Sequence, residues 1–283
     1  MPRNRHRCDG IVPIGPKLKT REYEYWTDRY INAGRYTLPM KNSQPTGNRR
    51  GQQSRQEILD AASRVMSAYG YAGTSMSALV EATGIPKSAI YHHFGSKAGL
   101  LAEVMARGAH DFFEAMRDAH RDPPQGGTPR ERLGWYLQRT GAVSVHHENF
   151  LRLLMVMVMT SEATDAPEAM EIVATVRNEG HDYMRQMIRA AFSTEGEAIA
   201  AAVADRFAHF GMVGFDGAFV SLQSRDDCSM ATYMSQLADA LGSMGQAYAD
   251  ALRDASAAPA RKRAAKSAKP AAPAQDKARR PRS

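Results

Sequence analysis

Residues 87–93 read Lys-Ser-Ala-Ile-Tyr-His-His, which places a cation, a hydroxyl, a methyl and two imidazoles within seven positions. Those groups suit the edges of base pairs: lysine donates to guanine O6 and N7, serine pairs with either edge, and alanine meets a thymine methyl. Tyr91, His92 and His93 can donate to phosphate oxygens, as can a hydroxyl or backbone amide near Ser75. Wound as a helix, the segment exposes Lys87, Ser88, Ala89, His92 and His93 and turns Ile90 and Phe94 to the interior. A short polar helix is more often an ordinary packing element, so its surroundings must decide.

The preceding segment supplies a frame. From Arg55 to Tyr69, Ile58, Leu59, Ala62, Val65, Met66 and Tyr69 form one apolar stripe at the helical period, and Gly70 stops it. Thr74 or Ser75 then caps a short helix through Glu81 that turns Met76, Leu79 and Val80 inward. Gly84 ends that helix, and Pro86 stands where a first helical residue tolerates a missing N–H. Two short helices joined by a glycine turn make a helix-turn-helix, whose second helix enters the major groove. Ser96 caps a fourth helix to about His120, and the prolines and glycines between Pro123 and Gly127 mark a joint. Further helices are expected near 130–145, 148–161, 167–192, 196–222 and 230–253. Met155, Met157 and Met159 alternate with valines as a strand would, but Phe150, Leu151 and Leu154 beside them favour a buried helix. The predicted class is all-α.

Charge is distributed unevenly. Residues 1–50 hold 11 Lys/Arg against 4 Asp/Glu, residues 255–283 hold 9 against 1, and residues 101–254 hold 13 against 22. Basic ends that favour polyanions thus flank an acidic body. Both ends read as disordered: the first is broken by prolines and glycines, and the second is an Ala/Pro/Lys/Arg tail without large apolar residues. A translation start at Met40, which would leave residues 1–39 untranslated, stays open. Cys8 and Cys228 cannot build a disulfide framework or a four-thiolate zinc site. Unbroken apolar runs reach only seven residues, as at Leu153–Met159, too short to span a bilayer. A soluble, cytoplasmic protein with no membrane partner is expected.

Residues Ser54 to Met105 resemble the N-terminal DNA-binding domain of TetR-type transcriptional regulators. The likeness rests on Ile58-Leu59, Ala61-Ala62, Gly70-Tyr71, Thr74-Ser75, Gly84-Ile85, Ile90-Tyr91, His93-Phe94, Ser96-Lys97 and Leu100-Leu101, which fall at the family's spacing without a gap. It implies that Lys87, Ser88, Ala89 and His92 read bases, and that Tyr91, His93 and Lys97 grip phosphate together with Ser75 and Ser77. Leu79-Val80 and Thr83 depart from the usual Ile-Ala and Ala at packing positions. The implied organisation is a three-helix helix-turn-helix domain over 51–100 and a helical ligand-binding and dimerisation domain over 101–254. A basic extension (1–50) and a basic tail (255–283) flank them.

For dimerisation the sequence offers its own hint. Gly211, Gly214 and Gly217 recur every three residues among phenylalanines, and each glycine costs a helix about 1 kcal/mol against alanine, which suggests close backbone approach. The last helix carries Tyr233, Leu237, Leu241 and Met244 in one stripe. With Gly211, Gly214, Phe215 and Ala218 these residues are the expected interface of a four-helix homodimer; packing inside one protomer is the alternative. A two-fold dimer would meet a near-palindromic operator with half-sites about 34–36 Å apart.

An inducer pocket is expected among Trp135, Phe150, Met155, Met159, Met170, Tyr183, Met184 and Met187, whose methionines suit a lipophilic ligand. Plain hydrophobic core fits these residues equally well. His146, His147, His181 and His209 lack supporting carboxylates or thiols, so no metal and no cofactor is implied. Nor does the chain contain G-x-S-x-G, a P-loop, H-E-x-x-H or a dinucleotide fingerprint, which argues against an enzyme. The expected function is a ligand-gated homodimeric repressor of transcription. The alternative is an architectural DNA-coating protein whose basic tail dominates binding to double-stranded DNA.

Overall fold

The structure, a computed structural model, describes residues 49–160, 166–224 and 227–267, with side chains to residue 256. Among the described residues every regular element is helical: α1 (Arg49–Gly73), α2 (Met76–Thr83), α3 (Lys87–Phe94), α4 (Lys97–Ala119), α5 (Pro129–His146), α6 (Glu148–Met159), α7 (Pro167–Ala191), a 3-10 turn (Ser193–Glu195), α8 (Glu197–Gln223) and α9 (Met230–Ser267). The all-α reading holds. The basic extension lies outside the described residues up to residue 48, as does the tail beyond Ser267.

The first three helices close over one cluster. Ile58, Leu59 and Met66 from α1, Leu79 from α2, Ile90 from α3, and Leu100 and Leu101 from α4 are all fully buried. Removing each such side chain from water contributes about 1.5–3 kcal/mol, which offsets the entropy of ordering helices too short to persist alone. A Ser67 hydroxyl donating to Asn149 Oδ1 at 3.2 Å ties α1 to α6. The same core continues into the C-terminal domain through Leu133, Leu137, Leu153 and Phe192.

Within that domain α5 follows α4 after a joint closed by a Thr128–Glu131 capping box with Pro129 at the first helical position. Helix α8 lies on α7, joined by Arg177–Asp216 and by Arg185–Asp205 at 2.5 Å. Helix α9 lies along α5, where Arg130 Nε meets Asp239 at 2.6 Å and Gln138 donates to the Ala231 carbonyl at 2.8 Å. By length and mean hydropathy α8 is the one described helix that could cross a bilayer. Here it serves as a packed helix, with Asp205 and Asp216 paired to α7.

Two local expectations need correction. Pro86 is the N-cap of α3 rather than its first helical residue, with ψ at 144°, and its carbonyl accepts from the amides of Ala89 and Ile90. The reading that began a disordered tail at Ala255 also differs from the structure, because α9 continues to Ser267. Ala255, Ala257, Ala258 and Ala260 are strong helix formers and lengthening an existing helix needs no new nucleus, which offsets part of the cost of Pro259 in this stretch.

Candidate nucleic-acid interface

Caps and turns set the two short helices at a fixed angle. The Ser75 hydroxyl oxygen accepts from the Ala78 amide at 3.0 Å and starts α2. At the far end Gly84 takes φ 67°, a left-handed conformation that suits a residue without Cβ, and donates to the Val80 carbonyl. Gly95 (φ 70°) closes α3 in the same way by donating to Tyr91. Ser96 begins α4 at once, its side chain accepting from Gly99 at 2.9 Å. Three residues thus separate α2 from α3 and two separate α3 from α4, so α3 is clamped at both ends.

On α3, Ile90 and Phe94 are buried, whereas Lys87, Ser88, Tyr91 and His92 are exposed and Ala89 and His93 are half-exposed. The expected base-reading set therefore shares one accessible face. Lys87 Nζ lies 5.7 Å from the Tyr91 ring centre, and Lys97 Nζ lies 4.2 Å from that of Tyr71. The aromatic rings help to hold the two ammonium groups in place. Ser75 and Ser77 are exposed on α2, level with the start of the helix. Burial, then the charges of His92 and Arg55, hold the His93 imidazole below the usual histidine value. This shift favours the neutral form of the ring.

This arrangement matches a described family. Residues 58–104 fit the model of bacterial regulatory proteins of the tetR family. Over these residues the N-terminal unit is similar to the tetR family. The transcriptional repressor AcnR of Corynebacterium glutamicum is 38% identical over 93 residues, covering 29% of this chain and 45% of the relative. The regulator AcrR of Shigella flexneri is 42% identical over 53 residues, 19% of this chain and 25% of the relative. The chain spans about half the length of the first of these relatives and a quarter of the second. A TetR-family regulator from Agrobacterium tumefaciens has a similar fold, with TM-score 0.52 at 16% identity over 69% of this chain and 98% of that one. A regulator structure from Saccharomonospora viridis, solved in complex with choline, gives TM-score 0.51 at 18% identity over 66% of this chain and 95% of that one. These two likenesses extend the shared fold beyond the tetR domain into the C-terminal helices.

The C-terminal helices enclose a narrow cavity of about 50 Å³. Met155, Tyr183, Met184 and Met187 line it as expected from sequence, but Trp135, Phe150, Met159 and Met170 do not. Trp135 stacks under the Arg139 guanidinium at 3.9 Å, Phe150 packs on Gly108 and Phe112, Met159 is 69% exposed, and Met170 is half-buried against the core. Sequence reasoning missed Phe112, Phe113 and Met116 of α4, and Met212, Phe215 and Asp216 of α8. Cavity walls gather from helices distant in the chain, and periodicity along one helix carries no such signal.

Beside the cavity a polar cluster crosses from α4 to α5 and α7. The Tyr136 carbonyl can only accept, so His120 donates from Nε2 at 3.0 Å and its Nδ1 accepts from the Tyr183 hydroxyl at 3.2 Å. Burial pulls His120 down to about 4 and pushes Tyr183 up. His181 and His209 stack with centroids 4.0 Å apart, but among the described residues no group of three or more His, Cys, Asp or Glu could hold a metal ion.

The expected interface residues are placed differently from the sequence reading. A Cβ on Gly211 would lie 2.7 Å from Met184 Sδ, and one on Gly214 2.5 Å from a Leu237 methyl. Phe215, Ala218, Leu237 and Leu241 are buried in the protomer, while Tyr233 and Met244 are half-exposed. Gly211 and Gly214 therefore mark close approach within one chain, whereas a Cβ on Gly217 would meet nothing within 4 Å. The apolar residues left open on α8 are Phe210, Val213 and Val220, at 47%, 67% and 44% exposure.

Proposed function

We propose that the protein is a homodimeric, sequence-specific repressor of transcription that acts in the cytoplasm and is released from its operator by a small lipophilic molecule. The observation that carries this reading is α3: Lys87, Ser88, Tyr91 and His92 stand exposed above buried Ile90 and Phe94, within the tetR-family match. An enzyme reading has no comparable constellation behind it.

Dimerisation is supported by α8. Phe210, Val213, Gly217 and Val220 fall at i, i+3, i+7 and i+10, an exposed ridge on a helix otherwise packed on α7 and α9. Pairing two ridges about a two-fold axis would cover them and set two copies of α3 on successive turns of one face of a duplex. Gating is supported by α4, which starts at the Ser96 cap beside α3 and lines the cavity with Phe112, Phe113 and Met116. A ligand that enlarges the cavity would shift α4, and DNA affinity would fall by its differential affinity for the two states.

The test is footprinting on the DNA upstream of the protein's own gene. A protected near-palindrome supports the reading; absent protection, or retention indifferent to sequence, removes it. Deleting residues 255–283 separates the architectural alternative. The repressor keeps its footprint with a shallower salt slope, whereas a coating protein loses its binding.

A further inference from the structure

The cavity is apolar except at one end, where Arg177 of α7 and Asp216 of α8 form a two-pronged ion pair with N–O distances of 2.9 and 2.7 Å. These are the only charged groups lining it among the described residues. The pair is asymmetric in how it can open. The guanidinium sits on a long stem, 30% exposed, and can swing into water while the stem stays packed. The Asp216 carboxylate is 23% exposed on a short stem and has less reach toward water. A cation entering the cavity could take the place of the guanidinium, leaving every charge paired or solvated. An anion on Arg177 would instead share its site with the Asp216 carboxylate, at a repulsive distance.

Two further features point the same way. The rings of Phe112, Phe113, Tyr183 and Phe215 line the walls, and aromatic faces attract cations and disfavour anions. Residues 101–254 carry 22 acidic against 13 basic groups, a field that concentrates cations around the domain. The small volume is no obstacle, since Met184, Met187 and Met212 are flexible walls that can repack around a guest.

We propose that the cavity takes an organic cation with an apolar body, whose substituted ammonium or amidinium group replaces the Arg177 guanidinium on Asp216. This deepens the ligand-gated reading of the same cavity by naming the chemical class of its ligand.

The test uses the full chain without DNA and three probes of similar shape, followed by calorimetry or ligand-observed NMR. These are benzyltrimethylammonium, its uncharged isostere neopentylbenzene, and 3-phenylpropionate. The cation should bind once per protomer and at least about tenfold more tightly than the others, as a charge-assisted contact requires. Asp216→Asn should weaken it about tenfold or more, and Arg177→Met should leave it equal or tighter, because the internal competitor is gone. Phe113→Leu keeps the wall apolar but removes the aromatic face, and should weaken the cation several-fold more than neopentylbenzene, which keeps the test decisive even if Asp216→Asn fails to fold. Equal binding of the uncharged probe, tighter binding of the anion, or no binding of any probe would each overturn the proposal. Footprinting of the ligand-free protein separates the two readings. Cation binding without a footprint removes the regulator and keeps the cavity chemistry, whereas a footprint without cation binding does the reverse.

Discussion

Gly99 on the first turn of α4 faces the Phe94 carbonyl oxygen at the end of α3, so closely that a Cβ on Gly99 would overlap it. The tight passage from α3 to α4 depends on that missing methyl. Elsewhere in a helix, glycine to alanine gains about 1 kcal/mol. Here the atom in the way is backbone, and overpacking of this kind costs about 1–3 kcal/mol. Gly99→Ala should therefore lower the melting temperature and weaken DNA binding together. A calorimetric scan beside a gel-shift titration checks this; a more stable variant would show that the junction yields.

Lys87 and Lys97 should fail in different ways. Lys87 lies on the exposed face of α3, so Lys87→Ala should relax preference at one base position by about 1–3 kcal/mol. Lys97 lies at the start of α4 over Tyr71. Its loss should weaken binding to all sequences alike and reduce the slope of log affinity against log salt by about one unit. Titrations on operator and scrambled duplexes at several salt concentrations distinguish the two outcomes.

What could be read in the sequence follows from what periodicity encodes. The stripe Ile58, Leu59, Ala62, Met66 lies on a single helix, and the cap at Ser75, the stop at Gly84 and the cap at Ser96 are each local to one helix end. Helix starts and ends, and the exposed side of α3, were legible for that reason. The cavity was legible only in part, because Met184 and Met187 share a helix face whereas Phe113 and Phe215 meet across about a hundred residues of chain. The glycines of α8 pointed correctly to close approach and misled about its partner. Gly211 admits Met184 and Gly214 admits Leu237 from the same protomer, while the open ridge sits one residue out of phase, at Phe210 and Val213. Spacing reveals that a helix has two apolar faces but not which of them the rest of its own chain will cover.

Acid should weaken the fold through His120. Burial holds its imidazole at about 4, against an ordinary histidine value of about 6.5, because a charged ring would lose solvation beside Tyr136 and Tyr183. The unfolded chain takes up this proton first as pH falls. The stabilising contribution is therefore complete above about pH 6.5 and is lost as pH drops toward the folded value near 4, amounting to about 3 kcal/mol. Glu179, raised by its own burial, works in the opposite direction. Denaturant unfolding at pH 7.5 and pH 4.5 for the wild type and His120→Gln isolates the histidine. The variant should lose markedly less stability on acidification, and equal losses in both would contradict the assignment.

Assembly can be tested at a single turn of α8. Val213 is 67% exposed in the middle of the ridge, whereas Leu237 is 7% exposed, with a methyl against Gly214. If two ridges pair in the dimer, Val213→Glu would bring two like charges together in an apolar seam, a cost of several kcal/mol with no effect on the folded monomer. Sedimentation should then show monomers that retain full helix content but no longer occupy both halves of a palindrome. Leu237→Ala removes core volume inside each protomer and should instead cost about 2–5 kcal/mol of unfolding free energy. Because Leu237 belongs to the stripe that sequence alone assigned to the interface, the two variants set the two phases of α8 against each other. A Val213→Glu protein that remains dimeric would return the interface to another face of the molecule.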